Sequence, residues 1–300
     1  MRVGKSQIVM QHLTGPWPAR ATWALLPLLM GPALGQALGE HSQAVARTGS
    51  LLAWLTWAGV LVAVLLPRTV SLTALRIAAP AALAVANWAA LAGDRGPWAP
   101  VAVAGAAVAV VAAFSPLTGQ AFVNGSSYGD ERRLPLRAPS LLLFGPLPLA
   151  ELVAVAAPIA GPLLVAAGQP QLGLAVLGGG LPAAALAVRA LHSLSRRWVV
   201  LVPAGLVLHD HHALVEPVLF PRSSIRRLGP ATVEDAAQGR DLTQGAFGLA
   251  LLLELVEPLE ISPRRRKGVG ELEAVASVLL TPTRPGAVLR EAAGHRIPVG

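Results

Sequence analysis

The feature that most constrains this chain is a series of apolar segments, each close to the length needed to cross a membrane. They cover residues 21–39, 50–66, 70–92, 97–114, 141–167 and 171–191. A helix of about 20 predominantly apolar residues spans the hydrocarbon core of a bilayer. Charged residues make up 13% of the chain, against roughly 25% in a soluble domain. The sequence therefore predicts a bundle of six transmembrane helices over residues 21–191, after a cytoplasmic segment 1–20.

The connections between these segments carry positive charge unevenly. One set holds Arg2, Lys5, Arg20, Arg68, Arg132, Arg133, Arg137, Arg189, Arg196 and Arg197, and the other holds Arg47 and Arg95. Lys/Arg-rich connections lie in the cytoplasm, so both termini are predicted there. Heavy use of arginine, alanine and glycine indicates a GC-rich bacterial genome, hence the bacterial cytoplasmic (inner) membrane. Cleavage of residues 1–39 as a signal peptide is the alternative; a retained helix keeps the even number of spans.

Glu151 is the only acidic residue within a predicted span. A carboxylate inside a membrane is a candidate functional group, because burying it in hydrocarbon is costly. If the fifth helix begins near Ser140, Glu151 lies near the middle of the bilayer. If Pro146 and Pro148 delay the start of the helix, Glu151 lies at the interface instead.

A ridge of small residues is predicted on the first span, and it consists of Gly31, Gly35 and Gly39. Small residues spaced by four allow a second helix backbone to approach closely, so we expect helix packing there. The two halves of the bundle show no clear repeat or matched pair of broken helices. That absence disfavours a secondary transporter.

One long cytoplasmic connection, residues 115–140, interrupts the spans. Its polar candidates are Asn124, Tyr128, Asp130, Glu131, Arg132 and Arg133. Long connections in compact proteins are either functional or disordered. The segment is therefore either an ordered cap on the cytoplasmic mouth of the bundle or a solvated connector whose arginines fix the topology.

From residue 192 onward the pattern changes to short β-like segments separated by turns. The predicted strands cover residues 197–202, 205–209, 214–220, 224–228, 248–256 and 259–261, the last two forming a hairpin around Glu257-Pro258. Closely spaced short strands indicate a small antiparallel sheet or barrel. Apolar residues at helical spacing predict a helix over 270–280, and a second short helix is expected over 286–293.

The order of these elements resembles the bacterial pleckstrin-homology-like (PH-like) domains that are often attached to membrane helices. The resemblance covers residues 195–281: a Trp-led strand, a Gly-Leu-Val-Leu strand, a Pro-Val-Leu-Phe strand, an Ile-Arg-Arg strand and a late helix. Residues 231–245 depart from it as a long loop between strands. The whole chain is also similar to multi-span membrane proteins of high-GC, actinobacterial type. The first resemblance implies a binding scaffold, although fold analogy alone identifies no ligand.

Two basic groups in residues 192–300 are candidates for contacts with anionic lipid headgroups or a protein partner. The first comprises Arg222, Arg226 and Arg227, and the second comprises Arg264, Arg265, Arg266 and Lys267. Each basic residue near an anionic bilayer contributes about 1 kcal/mol. The alternative is that these residues lie on solvated loops.

Three histidines follow one another closely around an aspartate, and they are weak candidates for metal ligands: His209, His211 and His212. Zinc binds imidazole and carboxylate groups. No further ligand appears at a suitable spacing, so a hairpin turn is the favoured interpretation and no metal or cofactor is predicted.

No Walker A, HExxH or GxSxG motif occurs, and the lack of cysteine excludes thiol chemistry. No basic cluster indicates nucleic-acid binding. The sequence therefore favours a non-enzymatic membrane scaffold whose cytoplasmic tail binds the membrane surface or a protein partner. The second hypothesis is a small-solute or ion transporter or channel using Glu151 and the 120–139 segment. The third is a membrane-embedded lipid-modifying enzyme using Tyr128, Asp130 and Glu131.

Overall fold

The computed structural model of the chain describes residues 15–93, 96–264 and 271–300. The chain divides into two compact units. The helical unit comprises Met1–Gly125 and Pro148–His192, and the β unit comprises Ser126–Leu147 and Ser193–Gly300. The change in pattern at residue 192 thus coincides with a boundary between units. The segment 126–147, which the sequence assigns to a membrane-domain connection and the start of a span, belongs to the β unit instead.

The helical unit is built from long apolar helices. They are α1 (Trp17–Gly39), α2 (Gln43–Leu65), α3 (Thr69–Ala92), α4 (Trp98–Phe114), α5 (Pro116–Asn124), then α7 (Pro146–Ala166) and α8 (Pro170–Leu194), with the short α6 (Ser140–Leu143) before α7. Five of the described helices are long and apolar enough to cross a membrane, namely α1, α2, α3, α7 and α8. A sixth span results if α4 and α5 form one bent span.

The break between α4 and α5 follows from Ser115-Pro116. Proline disfavours helical geometry in the residue before it, and Ser115 is extended, with φ −61° and ψ 140°. The Ser115 hydroxyl then accepts the amide of Thr118 at 3.1 Å, which caps the new helix. The two helix axes differ in direction by 54° as a result.

Helices α1 and α2 are joined by two reciprocal tryptophan hydrogen bonds. Pro27 has no amide hydrogen, so the carbonyl of Trp23, four residues earlier, loses its helical partner. Nε1 of Trp57 donates to that carbonyl oxygen at 3.0 Å. In return Nε1 of Trp23 donates to the carbonyl oxygen of Trp57 at 3.0 Å. The proline within the span is therefore compensated by a neighbouring helix.

No other described helix packs against the glycine ridge of α1. A Cβ atom added at Gly31, Gly35 or Gly39 would meet nothing within 4 Å. The buried side of α1 instead uses Ala19, Trp23, Leu26, Met30, Ala33 and Ala37. Their alternating spacings of four and three place them on one stripe of the helix. Close backbone approach occurs elsewhere, because a Cβ at Gly173 of α8 would lie 2.7 Å from the backbone oxygen of Gly161.

The first sheet of the β unit is antiparallel, in the order β1-β2-β3-β4. Its strands are β1 (Arg132–Pro135), β2 (Trp198–Val202), β3 (Gly205–His209) and β4 (Val218–Pro221). The tight β2–β3 connection pairs Val202 with Gly205 and Trp198 with His209. Strand β1 precedes α7 and α8 in sequence, yet it pairs with β2 along its length. The sheet is therefore completed by residues from the connection that precedes the last two long helices.

The second sheet has the order β5-β7-β8-β6. Its strands are β5 (Ile225–Pro230), β6 (Arg240–Asp241), β7 (Leu251–Ile261) and β8 (Glu273–Leu280). The predicted hairpin at residues 257–258 is wrong, because β7 is one strand with an irregular register between Glu254 and Leu259. The predicted helix over 270–280 is also wrong. Its described part forms β8, since both halves of β7 pair with it and satisfy its backbone.

Both sheets bury their inner faces in one hydrophobic core. Leu201, Leu206 and Phe220 come from the first sheet, and Leu253 and Val278 from the second. The segment 231–245, predicted as a loop, contains α9 (Val233–Gln238) and β6. The chain ends with α10 (Pro285–Gly294), which buries apolar residues in the same core. The second predicted helix, over 286–293, is thus confirmed.

Candidate functional site

A buried ion pair closes one end of the first sheet. Because Trp198 pairs with His209, the next residue outward on each strand, Arg197 and Asp210, face one another. Arg197 donates from Nε to Oδ1 of Asp210 at 2.8 Å and from Nη2 to Oδ2 at 2.6 Å. Its Nη1 donates to the backbone oxygen of Arg137, just beyond β1, at 2.7 Å. Only 1% and 0% of the two side chains is exposed, so this pair joins the ends of three strands.

The carboxylate of Asp210 also shapes the turn after β3. Its Oδ1 accepts the amide of His212 at 3.0 Å, and its backbone oxygen accepts the amides of residues 213–214 at 3.2 and 2.9 Å. The carboxylate is thus occupied by protein donors and does not serve the neighbouring imidazoles. Among the described residues, no group of three His, Cys, Asp or Glu side chains could hold a metal ion. Of the candidate ligands, His209 is the last residue of β3, and His211 and His212 lie in the turn that follows it.

An aromatic stack lies on the outer side of this strand end. The ring of His209 is stacked on that of Trp198, with centroids 4.9 Å apart and planes at 10°. His211 meets His209 edge-on at 4.4 Å. The guanidinium carbon of Arg133 lies 5.6 Å from the Trp198 ring centroid, within cation–π range. Arg133 also donates to Glu131 at 2.7 Å, so its charge is partly compensated.

Burial lowers the pKa of both histidines that follow Asp210. For His211, burial comes first, followed by neighbouring groups that include His209 and Arg196. For His212, burial comes first, and Arg197 and Arg264 act in the same direction. Positive charge in the surroundings disfavours a further proton, whereas the carboxylate of Asp210 favours one at both rings.

Two exposed arginines provide this charge at the surface. Arg196 precedes the ion pair, and Arg264 is held beside the turn because its amide donates to the carbonyl oxygen of Ala213 at 2.8 Å. Neither arginine forms an ion pair with another described residue. We call this surface the basic end, and it consists of Arg196, His211, His212 and Arg264. Arg265, Arg266 and Lys267 follow directly in sequence and lie outside the described residues.

The other basic candidates lie elsewhere on the β unit. The amide of Arg222 donates to the carbonyl oxygen of Ala204 at 2.8 Å, which places Arg222 at the opposite end of β3. Arg226 and Arg227 lie on β5, where carboxylates oppose them. Arg226 is 3.8 Å and Arg227 is 3.5 Å from Glu254, and Arg227 is also 3.8 Å from Asp235. Arg222, Arg226 and Arg227 are therefore not part of the basic end, and of the second predicted group only Arg264 lies within the described residues.

Most of the polar connection before α7 belongs to the β unit. Arg132 and Arg133 lie in β1, and the backbone oxygen of Asp130 is 2.9 Å from Nε2 of His295. Hydrogen bonding to Arg133 lowers the pKa of the Glu131 carboxyl group. Tyr128 is 90% exposed. The remaining candidate, Asn124, lies in α5 and bonds to Gln120 of the same helix at 3.0 Å.

Glu151 lies near the start of α7 rather than at its middle. The helix begins at Pro146, after a break that separates it from α6. At 1.5 Å per residue, Glu151 is about 8 Å along a helix of 21 residues. This position agrees with the second of the two placements predicted from the sequence, in which Pro146 delays the start of the helix and Glu151 lies at the membrane interface.

Arg197 and Asp210 were missed by sequence reasoning, which counted Arg197 among the basic residues of the cytoplasmic connections and gave Asp210 no role. The signal was present in the tight Val202-to-Gly205 hairpin, because counting outward from that turn pairs residue 197 with residue 210. Comparisons with family models, curated proteins and solved structures found no match.

Proposed function

We propose that this chain is a non-enzymatic membrane scaffold whose β unit binds the anionic surface of the membrane through the basic end. The observation that carries the proposal is the position of that surface in the chain. Only residues 195–197 separate the last residue of α8 from the first of β2. Arg196 of the basic end therefore lies in a three-residue connection between a candidate membrane-spanning helix and the first sheet.

Two exposed arginines supply the charge of the basic end. Arg196 and Arg264, at about 1 kcal/mol each near an anionic surface, would contribute roughly 2 kcal/mol. Residues 265–267 continue the basic run in the sequence and lie outside the described residues. The carboxylate of Asp210, in the same turn, is paired internally with Arg197. The attraction acts on a domain that α8 already tethers to the bilayer.

The pairing of β1 with β2 supports the membrane topology. Both strands belong to one sheet, so the segments before α7 and after α8 lie on the same side of the membrane. Two spans between them satisfy this requirement. Both segments are rich in arginine, which supports a cytoplasmic location and the bacterial inner membrane. Counting α4 and α5 as one bent span gives six spans, with residues 15–20 on that same side.

The architecture of the β unit supports the PH-like interpretation. Two sheets enclose one core, and a helix follows the last strand. Two features depart from the expected pattern: β1 comes from before the last two long helices, and β6 pairs with β8 in parallel. A PH-like unit implies binding rather than catalysis, in agreement with the absence of a recognisable catalytic motif.

The proposal can be tested on the full chain in lipid nanodiscs. The chain contains no cysteine, so a single introduced cysteine can carry one fluorophore. Pro217→Cys places the label just before β4, on the side of the basic end. Ser223→Cys, in a second variant, reports on the opposite end of the sheet. Quenching by nitroxide-labelled lipid headgroups is compared in neutral and 30% anionic nanodiscs, at low and high salt. We expect stronger, salt-sensitive quenching of the residue 217 label in anionic nanodiscs.

Charge-matched variants separate the basic end from general electrostatics. Arg196→Gln with Arg264→Gln should abolish the lipid dependence, whereas Arg226→Gln with Arg227→Gln removes equal charge from β5 and should preserve it. Equal quenching in neutral and anionic nanodiscs would overturn the lipid proposal. The search would then move to a protein partner for the basic end.

A further inference from the structure

A groove opens in the helical unit beside the first turns of α8. Its volume is about 640 Å³, within the range of roughly 300–1,000 Å³ typical of small-ligand sites. Its walls come from α2, α7 and α8. We call it the Arg47 groove, and the residues that define it are Arg47, Thr48, Pro162, Val165, Leu174 and Leu177.

The groove is lined by apolar side chains except at one position, where two polar side chains lie next to each other in sequence. Arg47 and Thr48, in the second turn of α2, are its only hydrogen-bonding side chains, and the remaining wall is aliphatic. Arg47 is exposed and forms no ion pair within the part of the chain that the structure describes. A groove of this kind matches a molecule with one anionic group and a hydrocarbon tail.

Its depth places the groove within one leaflet of a bilayer. Leu174 lies 20 positions before Leu194 on α8, a rise of about 30 Å, which is the thickness of the hydrocarbon core. Arg47 is four residues from the start of α2, about 6 Å along the helix, at headgroup level. Large apolar side chains on the same helices are exposed, including Leu51 at 59% and Leu172 at 52%. The surroundings of the groove are therefore acyl chains rather than water.

We propose that the Arg47 groove binds one anionic phospholipid of the leaflet in which α2 and α8 begin. The phosphate accepts hydrogen bonds from the Arg47 guanidinium, whose planar donors match a phosphate in a bidentate arrangement, and from the Thr48 hydroxyl. One acyl chain lies along Val165, Leu174 and Leu177. This site is separate from the basic end and would exist whether or not the β unit binds a membrane surface.

Native mass spectrometry of the full chain, released from detergent with added lipid, measures this binding directly. Dioleoyl phosphatidylglycerol is compared with dioleoyl phosphatidylcholine, which has the same tails and no net charge. We expect one retained phosphatidylglycerol and weaker binding of phosphatidylcholine. Arg47→Gln should lower the affinity for phosphatidylglycerol about tenfold, as expected for loss of a charge-assisted hydrogen bond.

Two further variants make the test decisive. Leu174→Trp fills the apolar wall without changing charge and should also reduce retention. Arg68→Gln removes an exposed arginine from the start of α3, outside the groove, and should leave retention unchanged. Equal retention of both lipids, no effect of Arg47→Gln and Leu174→Trp, or an equal loss in Arg68→Gln would overturn the proposal. Quenching of the residue 217 label should be unaffected by Arg47→Gln, so the two proposals fail independently.

Discussion

Replacing Arg197 with methionine would leave a buried carboxylate without its counter-ion. Three hydrogen bonds disappear, two to Asp210 and one to the carbonyl of Arg137. Of the hydrogen bonds that described residues donate to the Asp210 carboxylate, the one from the amide of His212 at 3.0 Å would remain. Breaking a buried pair by removing one partner costs about 3–5 kcal/mol. We expect a loss of that size in the free energy of unfolding of the β unit.

Hydrogen exchange in the full chain, held in one detergent, measures the loss where it occurs. A change of 3–5 kcal/mol lowers the protection of the slowest β2 and β3 amides by about 10²–10⁴-fold. Arg226→Met is the matched control, because its ion pair is 3.8 Å long and exposed. An exposed pair contributes about 0–1 kcal/mol, so its removal should change protection less than tenfold.

A double variant tests the cause of the loss. Arg197→Met with Asp210→Leu removes both charges, and replacing a buried pair by apolar side chains is often neutral. We expect the double variant to be more stable than Arg197→Met alone. The reasoning is refuted if Arg197→Met changes protection less than tenfold, or if the double variant is as unstable as the single one.

Three further predictions follow from packing and charge. Residues 193–300 expressed alone lack β1 and should not unfold cooperatively, whereas fusion to residues 126–147 through a Gly/Ser linker should restore a cooperative transition; circular dichroism would distinguish the two. Gly173→Leu should lower the melting temperature because its side chain meets the backbone of α7, whereas Gly35→Leu should be tolerated. The histidines of the basic end have lowered pKa values, so the unfolded chain binds more protons than the folded one as pH falls below about 6.5. Thermal stability should therefore fall between pH 7 and 5.5, and replacing both histidines with glutamine should reduce that slope.

The helices of the helical unit could be predicted from the sequence because each one is recognised from its own residues. An apolar segment near 20 residues long identifies a candidate membrane helix without knowledge of its neighbours. The segments predicted at 70–92 and 171–191 differ from α3 and α8 by at most three residues at each end. The face by which α1 packs against other helices was harder to predict. Glycines suggest one face, but the partner helices bury the stripe that contains Trp23.

The errors in the β unit arise where pairing is distant in sequence. Residues 273–280 contain alanine and leucine at spacings that fit a helix or a strand, and short apolar segments are ambiguous by periodicity alone. Pairing with β7 decides for the strand. Strand β1 has only four residues and ends in proline, so nothing local marks it as part of a sheet. Its partner β2 lies beyond two complete helices.

The candidate site was predictable in part. The hairpin of β2 and β3 was visible in the sequence, and its register alone would have paired Arg197 with Asp210. The sequence also identified Arg264 as a basic candidate but grouped the charges by their order in the chain. In the folded chain, basic residues that are distant in sequence belong to the same end of a sheet. Arg264 is therefore grouped with Arg196, whereas Arg226 and Arg227 face Glu254.

The division of the first sheet has a consequence for biosynthesis. Strand β1 leaves the ribosome before α7 and α8, and the strand with which it pairs, β2, follows both helices. Residues 136–197 must be translated in between, which takes about 3–12 s at 5–20 residues per second. If either helix fails to insert, β1 and β2 remain on opposite sides of the membrane, and β2 keeps an unpaired edge that invites aggregation. The first sheet can therefore close only in a chain whose α7 and α8 have returned it to the side on which β1 lies.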